Sequence, residues 1–194
     1  YDAWVMVDEA HSLGVLGKTG KGIEEHFRIK DGIDMKMGTL SKTIPSVGGY
    51  IAGRFDLINF IKHTARAFVF SAALPPSAAS SAEVSFDIIE GEGWRVKKLW
   101  ENIKHFTEGV HKIGYNTMNS QTAIIPIIIG DEEKTLRMTR ILQDNGIFIL
   151  PVLPPAVPEK TCRLRVNVTA SHSPEEIEKA ISSLYGAGKE IGII

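Results

Sequence analysis

Lys42 stands in the stretch GTLSKTIPSVGGY (38–50), with Gly38 before it, Gly48 and Gly49 after it, and the mixed apolar run Ile33–Met37 leading in. A lysine at a strand end, walled by glycines, has few groups to pair with and loses hydration. That lowers its pKa and frees the neutral amine to attack an aldehyde. Two more polar sets follow apolar runs in the same way: Asp8 and His11 after AWVMV (3–7), and Ser71 after FVF (68–70). In open parallel sheets, ligands gather beyond the carboxyl ends of the strands. Asp8, His11, Thr39, Ser41, Lys42 and Ser71 are therefore expected to converge. Singly, each has an ordinary role as a helix cap, a structural histidine or a turn residue. Repetition at successive strand ends is what favours a site.

An amine that forms an imine needs a carbonyl partner, and the aldehyde most often held in this way is pyridoxal phosphate. Its ring nitrogen needs a carboxylate to stay protonated if the ring is to act as an electron sink. Asp8 is placed for that role, and the hydroxyls of Thr39 and Ser71 suit the phosphate. A rival reading starts from the same motif. VMVDEAH (5–11) also matches the acidic box of nucleotide-driven helicases, where the aspartate holds Mg²⁺ and the glutamate orients a water. That reading calls for an upstream GxxxxGK[ST] loop, and the nearest stretch, GKTGKG (17–22), follows the box and lacks the spacing.

The net charge of −1 and the scattered charged residues, 23% of the chain, leave no basic stripe for a nucleic acid. With 194 residues, 43% of them hydrophobic, the chain can build one large or two small cores. No apolar run reaches the ~18–20 residues of a membrane-spanning helix. One cysteine, Cys162, excludes an internal disulfide framework, fits a reducing cytoplasm and reads as a small core residue rather than a nucleophile. No metal site is expected. The chain opens on Tyr1 and meets an apolar strand within three residues, so a piece of a longer polypeptide is expected.

Strands and helices alternate, which predicts an α/β fold with largely parallel pairing in the first part. Ala3–Val7 reads as a strand buried on both faces, Asp34–Leu40 and Gly48–Ala52 as two more, and Phe68–Ser71 as a fourth. Short and long helices are expected around Ile23–Phe27, over Arg54–Arg66, and from Pro75 and Pro76 to about Glu90. From Trp94 a regular helical period carries Val96, Leu99, Ile103, Phe106, Val110 and Ile113 to a stop at Gly114. Then come a strand over Ala123–Ile129, a helix over Glu132–Asn145, strands over Ile147–Val152 and Leu164–Thr169, and a final helix. Ser173, Pro174 and Glu176 announce that helix with a capping box. This gives two domains, 1–92 in a larger α/β sheet and 93–194 as a smaller α+β unit.

Four motifs, VDEAHSLGVLGKTGKG (7–22), GTLSKTIPSVGGYIAG (38–53), FVFSAALPPS (68–77) and RLRVNVTASHSPEEIEKA (163–180), together resemble the α-oxoamine synthases. These are fold-type I pyridoxal-phosphate enzymes that condense an amino acid with an acyl-CoA. The resemblance runs the length of the chain and covers what looks like the second half of a family member. It implies that Lys42 is the Schiff-base lysine, Asp8 the partner of the pyridine nitrogen, His11 a hydrogen-bond donor to the ring hydroxyl and Thr39 a phosphate contact. It implies a homodimer in which Ser71 reaches the phosphate of the neighbouring subunit. Arg165 matches the residue that grips the substrate carboxylate, a bidentate task suited to guanidinium. Arg163 is the alternative, and Arg165 is preferred because it keeps the family spacing to His172. The resemblance also implies that a glycine-rich phosphate cup and a ring stacked on the cofactor come from the other half, so that this half alone is inactive and exposes an apolar face. A non-catalytic partner subunit is the remaining alternative, although its usual mark, loss of the lysine, is not seen.

Overall fold

Main-chain pairing, more than apolar content, decides where strands form in the first half of the chain. The computed structural model describes residues 2–194. Strands β1 (Met6–Asp8), β2 (Met35–Thr39) and β3 (Gly49–Gly53) form a sheet in the order β1-β2-β3. β1 and β2 run parallel, with Asp8 opposite Met37. β3 returns antiparallel, with Gly49 opposite Thr39, which departs from the expected parallel pairing. The reason is the connection: residues 40–48 hold no helix, and a parallel return needs a crossover of roughly a dozen residues or more.

Two other expectations fail on similar grounds. The AWVMV run is not buried on both faces, since Trp4 is 67% and Met6 52% exposed. Among the described residues, β1 has a strand neighbour on one side only. The FVF run is not a strand. Residues 66–69 form a one-turn helix, α3, in which the N–H groups of Phe68 and Val69 donate to the Ala65 carbonyl at 3.0 and 2.9 Å. An apolar run becomes a strand only when a neighbour takes its main-chain groups.

The other helices of this part are α1 (Ile23–Phe27), α2 (Phe55–Thr64) and α4 (Pro76–Gly91), the last opened by proline at its first position. Its core gathers Leu40, Ile44 and Ala82, with Leu13 and Tyr50 packed against them.

The chain divides into two compact units, one running to Val96 and the other beginning at Lys97, inside helix α5 (Trp94–Lys112). In the second unit, β4 (Ile124–Gly130), β5 (Leu150–Val152) and β6 (Cys162–Asn167) form an antiparallel sheet in the order β4-β6-β5. Proline lacks the N–H that a central strand must donate. Accordingly Pro126 and Pro151 lie on the two edge strands, and the central strand CRLRVN has none. The early part of the predicted Ile147–Val152 strand stays irregular, and only three residues pair with β6.

Along β6 the two-residue period separates Cys162, Leu164 and Val166, all buried, from Arg163 and Arg165 on the opposite face. Cys162 is thus a core residue, as expected. Helices α5, α6 (Glu132–Asp144) and α7 (Pro174–Glu190) supply buried Phe106, Val110, Met138, Leu142 and Leu184 to the same core. Tyr115 closes it, donating its hydroxyl to the Leu184 carbonyl at 2.7 Å, with burial raising its pKa.

At the start of α7, the Ser173 hydroxyl accepts from Glu176 N–H at 3.2 Å and the Glu176 carboxylate accepts from Ser173 N–H at 2.8 Å. Ser173→Ala removes one arm of this box and is expected to lower the unfolding free energy by ~1 kcal/mol in urea titrations. An unchanged midpoint would show that the box does not hold the helix end.

Candidate active site

The parallel register of β1 and β2 brings two of the polar sets to one edge of the sheet. Asp8 ends β1 beside Met37, two residues before Thr39, and the Glu9 N–H continues the ladder to the Met37 carbonyl at 2.7 Å. Asp8 is exposed, and one of its oxygens accepts from the Ala10 N–H at 2.8 Å. His11 is exposed on the same turn. At the end of β2, the Thr39 and Ser41 hydroxyls lie 2.8 Å apart, and Thr39 also donates to the Gly48 carbonyl at 3.3 Å.

Lys42 sits on a turn anchored at both sides. Leu40 and Ile44 are buried at 5% and 0% exposure, whereas Ser41, Lys42 and Thr43 between them are exposed. The turn is tied to α4 through the Ser46 hydroxyl, which donates to the Ala78 carbonyl at 2.8 Å. Among the described residues the Lys42 ammonium has no ion pair or hydrogen bond. The anchoring is rigid while the amine is uncommitted.

The glycines around Lys42 have a different task from the one expected. A side chain at Gly38 would collide with the ring of Tyr50, one at Gly48 would stand 3.0 Å from Leu74, and one at Gly49 would stand 2.9 Å from the Gly38 carbonyl. They make room for Tyr50, Leu74 and the β2–β3 ladder, and they do not enclose the amine. Burial, and secondarily the charge on Glu9, push the Tyr50 hydroxyl above the ordinary phenol range.

Ser71 lies just past α3, exposed, and its hydroxyl donates to the Ala67 carbonyl. In the second unit, Arg163 donates from Nε to the Thr161 carbonyl at 2.9 Å and lies 3.5 Å from the Met118 sulfur. Arg165 is different: its Nε is buried without a partner. A buried guanidinium N–H in this condition is suited to an acidic ligand. His172 accepts from the Thr169 N–H at 3.3 Å through Nδ1, which leaves Nε2 as the donor.

Two carboxylates, Glu9 of the acidic box and Glu25, organise the glycine loop (14–22). Glu9, only 4% exposed, accepts from the Ser12 hydroxyl and from the Ile23 N–H. This removes it from the role of orienting a water, which the helicase reading required. Glu25 accepts from the Thr19 N–H and hydroxyl and from the Lys21 N–H at 3.1 Å. The sequence offered Glu9 only as part of an acidic box and gave no signal for Glu25 beyond its place beside the glycine loop.

Comparison with known proteins places this geometry. The fold is that of fold-type I pyridoxal-phosphate-dependent transferases: a serine palmitoyltransferase from Sphingomonas wittichii superposes over the whole chain with a TM-score of 0.95 at 31% identity, covering 49% of that structure. A structure of SPT with PLP as the internal aldimine gives the same TM-score and identity. Residues 1–184 match the family "Aminotransferase class I and II", and the chain belongs to it. Among curated relatives, it is 45% identical over its full length to an 8-amino-7-oxononanoate synthase from Treponema denticola and 40% identical over 97% of its length to a serine palmitoyltransferase from Bacteriovorax stolpii. The chain spans about half the length of these relatives, 49% and 45% respectively. The family match overturns the helicase alternative. Among the described residues, no helix is long and apolar enough to cross a membrane.

Burial raises the pKa of Glu25, but the hydrogen bonds from Thr19 and Lys21 and the Lys21 charge outweigh it and leave the carboxyl below the ordinary glutamate range. A carboxyl depressed in the folded state stabilises it above its unfolded pKa, and the contribution disappears as pH falls through the folded value. Glu25→Gln is therefore expected to be less stable than the parent above the ordinary glutamate range, with the gap narrowing as pH falls below that range. Urea unfolding at a series of pH values checks this, and a gap independent of pH would refute it.

Proposed function

We propose that the chain is the Lys42-bearing part of a pyridoxal-phosphate-dependent α-oxoamine synthase, an acyltransferase that joins an amino acid to an acyl-CoA. The observation that carries this reading is the parallel β1–β2 register, which ends the strand carrying Asp8 and the strand leading to Thr39, Ser41 and an uncommitted Lys42 amine at the same edge of the sheet. A carboxylate, an imidazole, paired hydroxyls and a primary amine together fit pyridoxal phosphate. Relatives named serine palmitoyltransferase and 8-amino-7-oxononanoate synthase support the same class.

In this reading each residue has a defined task. The cofactor, when bound, supplies the electron sink for the carbon next to the amine. Asp8 would keep a proton on the ring nitrogen through a carboxylate oxygen, and His11 would donate to the ring hydroxyl. Thr39 holds the phosphate, with Ser71 reaching the phosphate of a second subunit in a homodimer. Lys42 Nζ would hold the cofactor's aldehyde carbon, and as a free amine it would serve as the base that takes the α-proton. Arg165 grips the substrate carboxylate and so orients the bonds at the α-carbon. Its unpartnered Nε supports this choice over Arg163, whose guanidinium is engaged by Thr161 and Met118. The substrates are an amino acid and an acyl-CoA thioester, with the activities of serine palmitoyltransferase, 8-amino-7-oxononanoate synthase and 2-amino-3-ketobutyrate CoA ligase as the choices. A cytoplasmic setting is proposed with it, supported by a lone, buried thiol.

Two variants of the natural full-length polypeptide test the assignment. Lys42→Ala should abolish the pyridoxyl label that borohydride reduction fixes on the protein after added pyridoxal phosphate is removed, with the far-UV circular dichroism unchanged; an undiminished label would reject the role of Lys42. Arg165→Ala should raise the KM for the amino acid by the equivalent of ~2–4 kcal/mol, the loss expected for a charged bidentate contact. The KM for the acyl-CoA should move far less, and equal effects on both substrates would remove Arg165 from the carboxylate site.

A further inference from the structure

The turn after β1 has two faces. Asp8 and His11 are exposed on one, whereas Glu9 and Ser12 are each only 4% exposed on the other. The turn wraps around Glu9 itself, whose carbonyl accepts from the N–H groups of Ser12 and Leu13, both at 3.1 Å. A carboxylate is kept in such a place only when its oxygens are satisfied. For Glu9 they are: the Ser12 hydroxyl donates to one oxygen, and the Ile23 N–H lies 3.1 Å from both.

Ile23 opens α1 at the far end of the glycine loop, so this carboxylate joins the loop's exit to the turn that carries Asp8 and His11. The loop also reaches the other side of the site. Its Gly14 N–H donates to the Gly20 carbonyl at 2.7 Å, and Gly14 packs so closely on Thr43, the neighbour of Lys42, that a side chain there would collide with it. Gly22, at φ 90°, leaves no room for a side chain against the Glu9 carboxylate. The charge on Glu9 also reaches the Tyr50 hydroxyl on β3, adding to the effect of burial there.

We infer that Glu9 is a positioning residue, whose buried carboxylate sets the Asp8–His11 turn against the Lys42 turn by clamping the glycine loop at Ser12 and Ile23. This rests on the reading of the site as one for pyridoxal phosphate. Glu9 touches no reacting atom, and its effect is on how the cofactor is held.

The test uses the natural full-length polypeptide with Glu9→Gln, which keeps the side-chain size but sets an amide N–H₂ against existing donors. Ser12→Ala, which removes one donor and keeps the carboxylate, is the milder variant and carries the test if Glu9→Gln does not fold. Glu9→Gln is expected to weaken pyridoxal phosphate binding by about tenfold and to reduce the visible circular dichroism of the bound cofactor. Hydrogen exchange at the Ile23 amide should accelerate, and Ser12→Ala should move all three in the same direction by less. Faster exchange at Ile23 with unchanged affinity and visible circular dichroism in both variants would make Glu9 merely structural and overturn the inference. Unchanged Ile23 exchange in Glu9→Gln would overturn it as well, because the clamp would not exist. A parent polypeptide that gives no visible band with pyridoxal phosphate would instead refute the reading of the site, and Ile23 exchange would still decide whether Glu9 clamps the loop.

Discussion

The parallel pairing of β1 with β2 is the constraint on which the arrangement of this chain depends. It sets Asp8 opposite Met37, so the turn after one strand and the turn after the other leave the sheet at the same edge. Every polar group assigned to the cofactor in the first unit, apart from Ser71, belongs to one of those two turns. A slip of one residue would exchange the faces on which alternate side chains lie. The register is extended one step past the strand by the Glu9 N–H, so the ladder continues into the turn itself.

Around that edge, burial and exposure alternate in a way that separates support from chemistry. Leu40 and Ile44 are buried on either side of exposed Lys42, and Glu9 and Ser12 are buried beneath exposed Asp8 and His11. Both turns are therefore held from below by buried groups, while Asp8, His11 and Lys42 above are exposed. The second unit uses the same device on a strand: Cys162, Leu164 and Val166 anchor β6 in the core, and the arginines between them face the other way. Of these two arginines, one is engaged by its neighbours and one is left with an unpartnered nitrogen.

Much of this was legible in the residues. The helical period from Trp94, the capping box at Ser173 and the core position of Cys162 are local or periodic signals, and the structure follows them. That β1 and β2 pair in parallel and so end at one edge of the sheet was legible too. The failures were of another kind. Burial of AWVMV and a strand over FVF were inferred from apolar content, yet both outcomes depend on whether a neighbour stands beside the run. The enclosure of Lys42 by glycines was inferred from sequence proximity, and in space those glycines accommodate Tyr50, Leu74 and a strand ladder.

The sequence by itself determined the caps and periods of the long helices, the ends of β1 and β2, and which residue types there could hold a cofactor, because periodicity, caps and strand ends are properties of the chain within a few residues. Only the tertiary structure decided that β3 returns antiparallel, that Glu9 and Glu25 organise the glycine loop, and that Arg165 rather than Arg163 keeps a nitrogen unpaired. Each of these depends on which distant main-chain or side-chain group satisfies a donor or an acceptor. That choice is made by packing, and no local pattern records it.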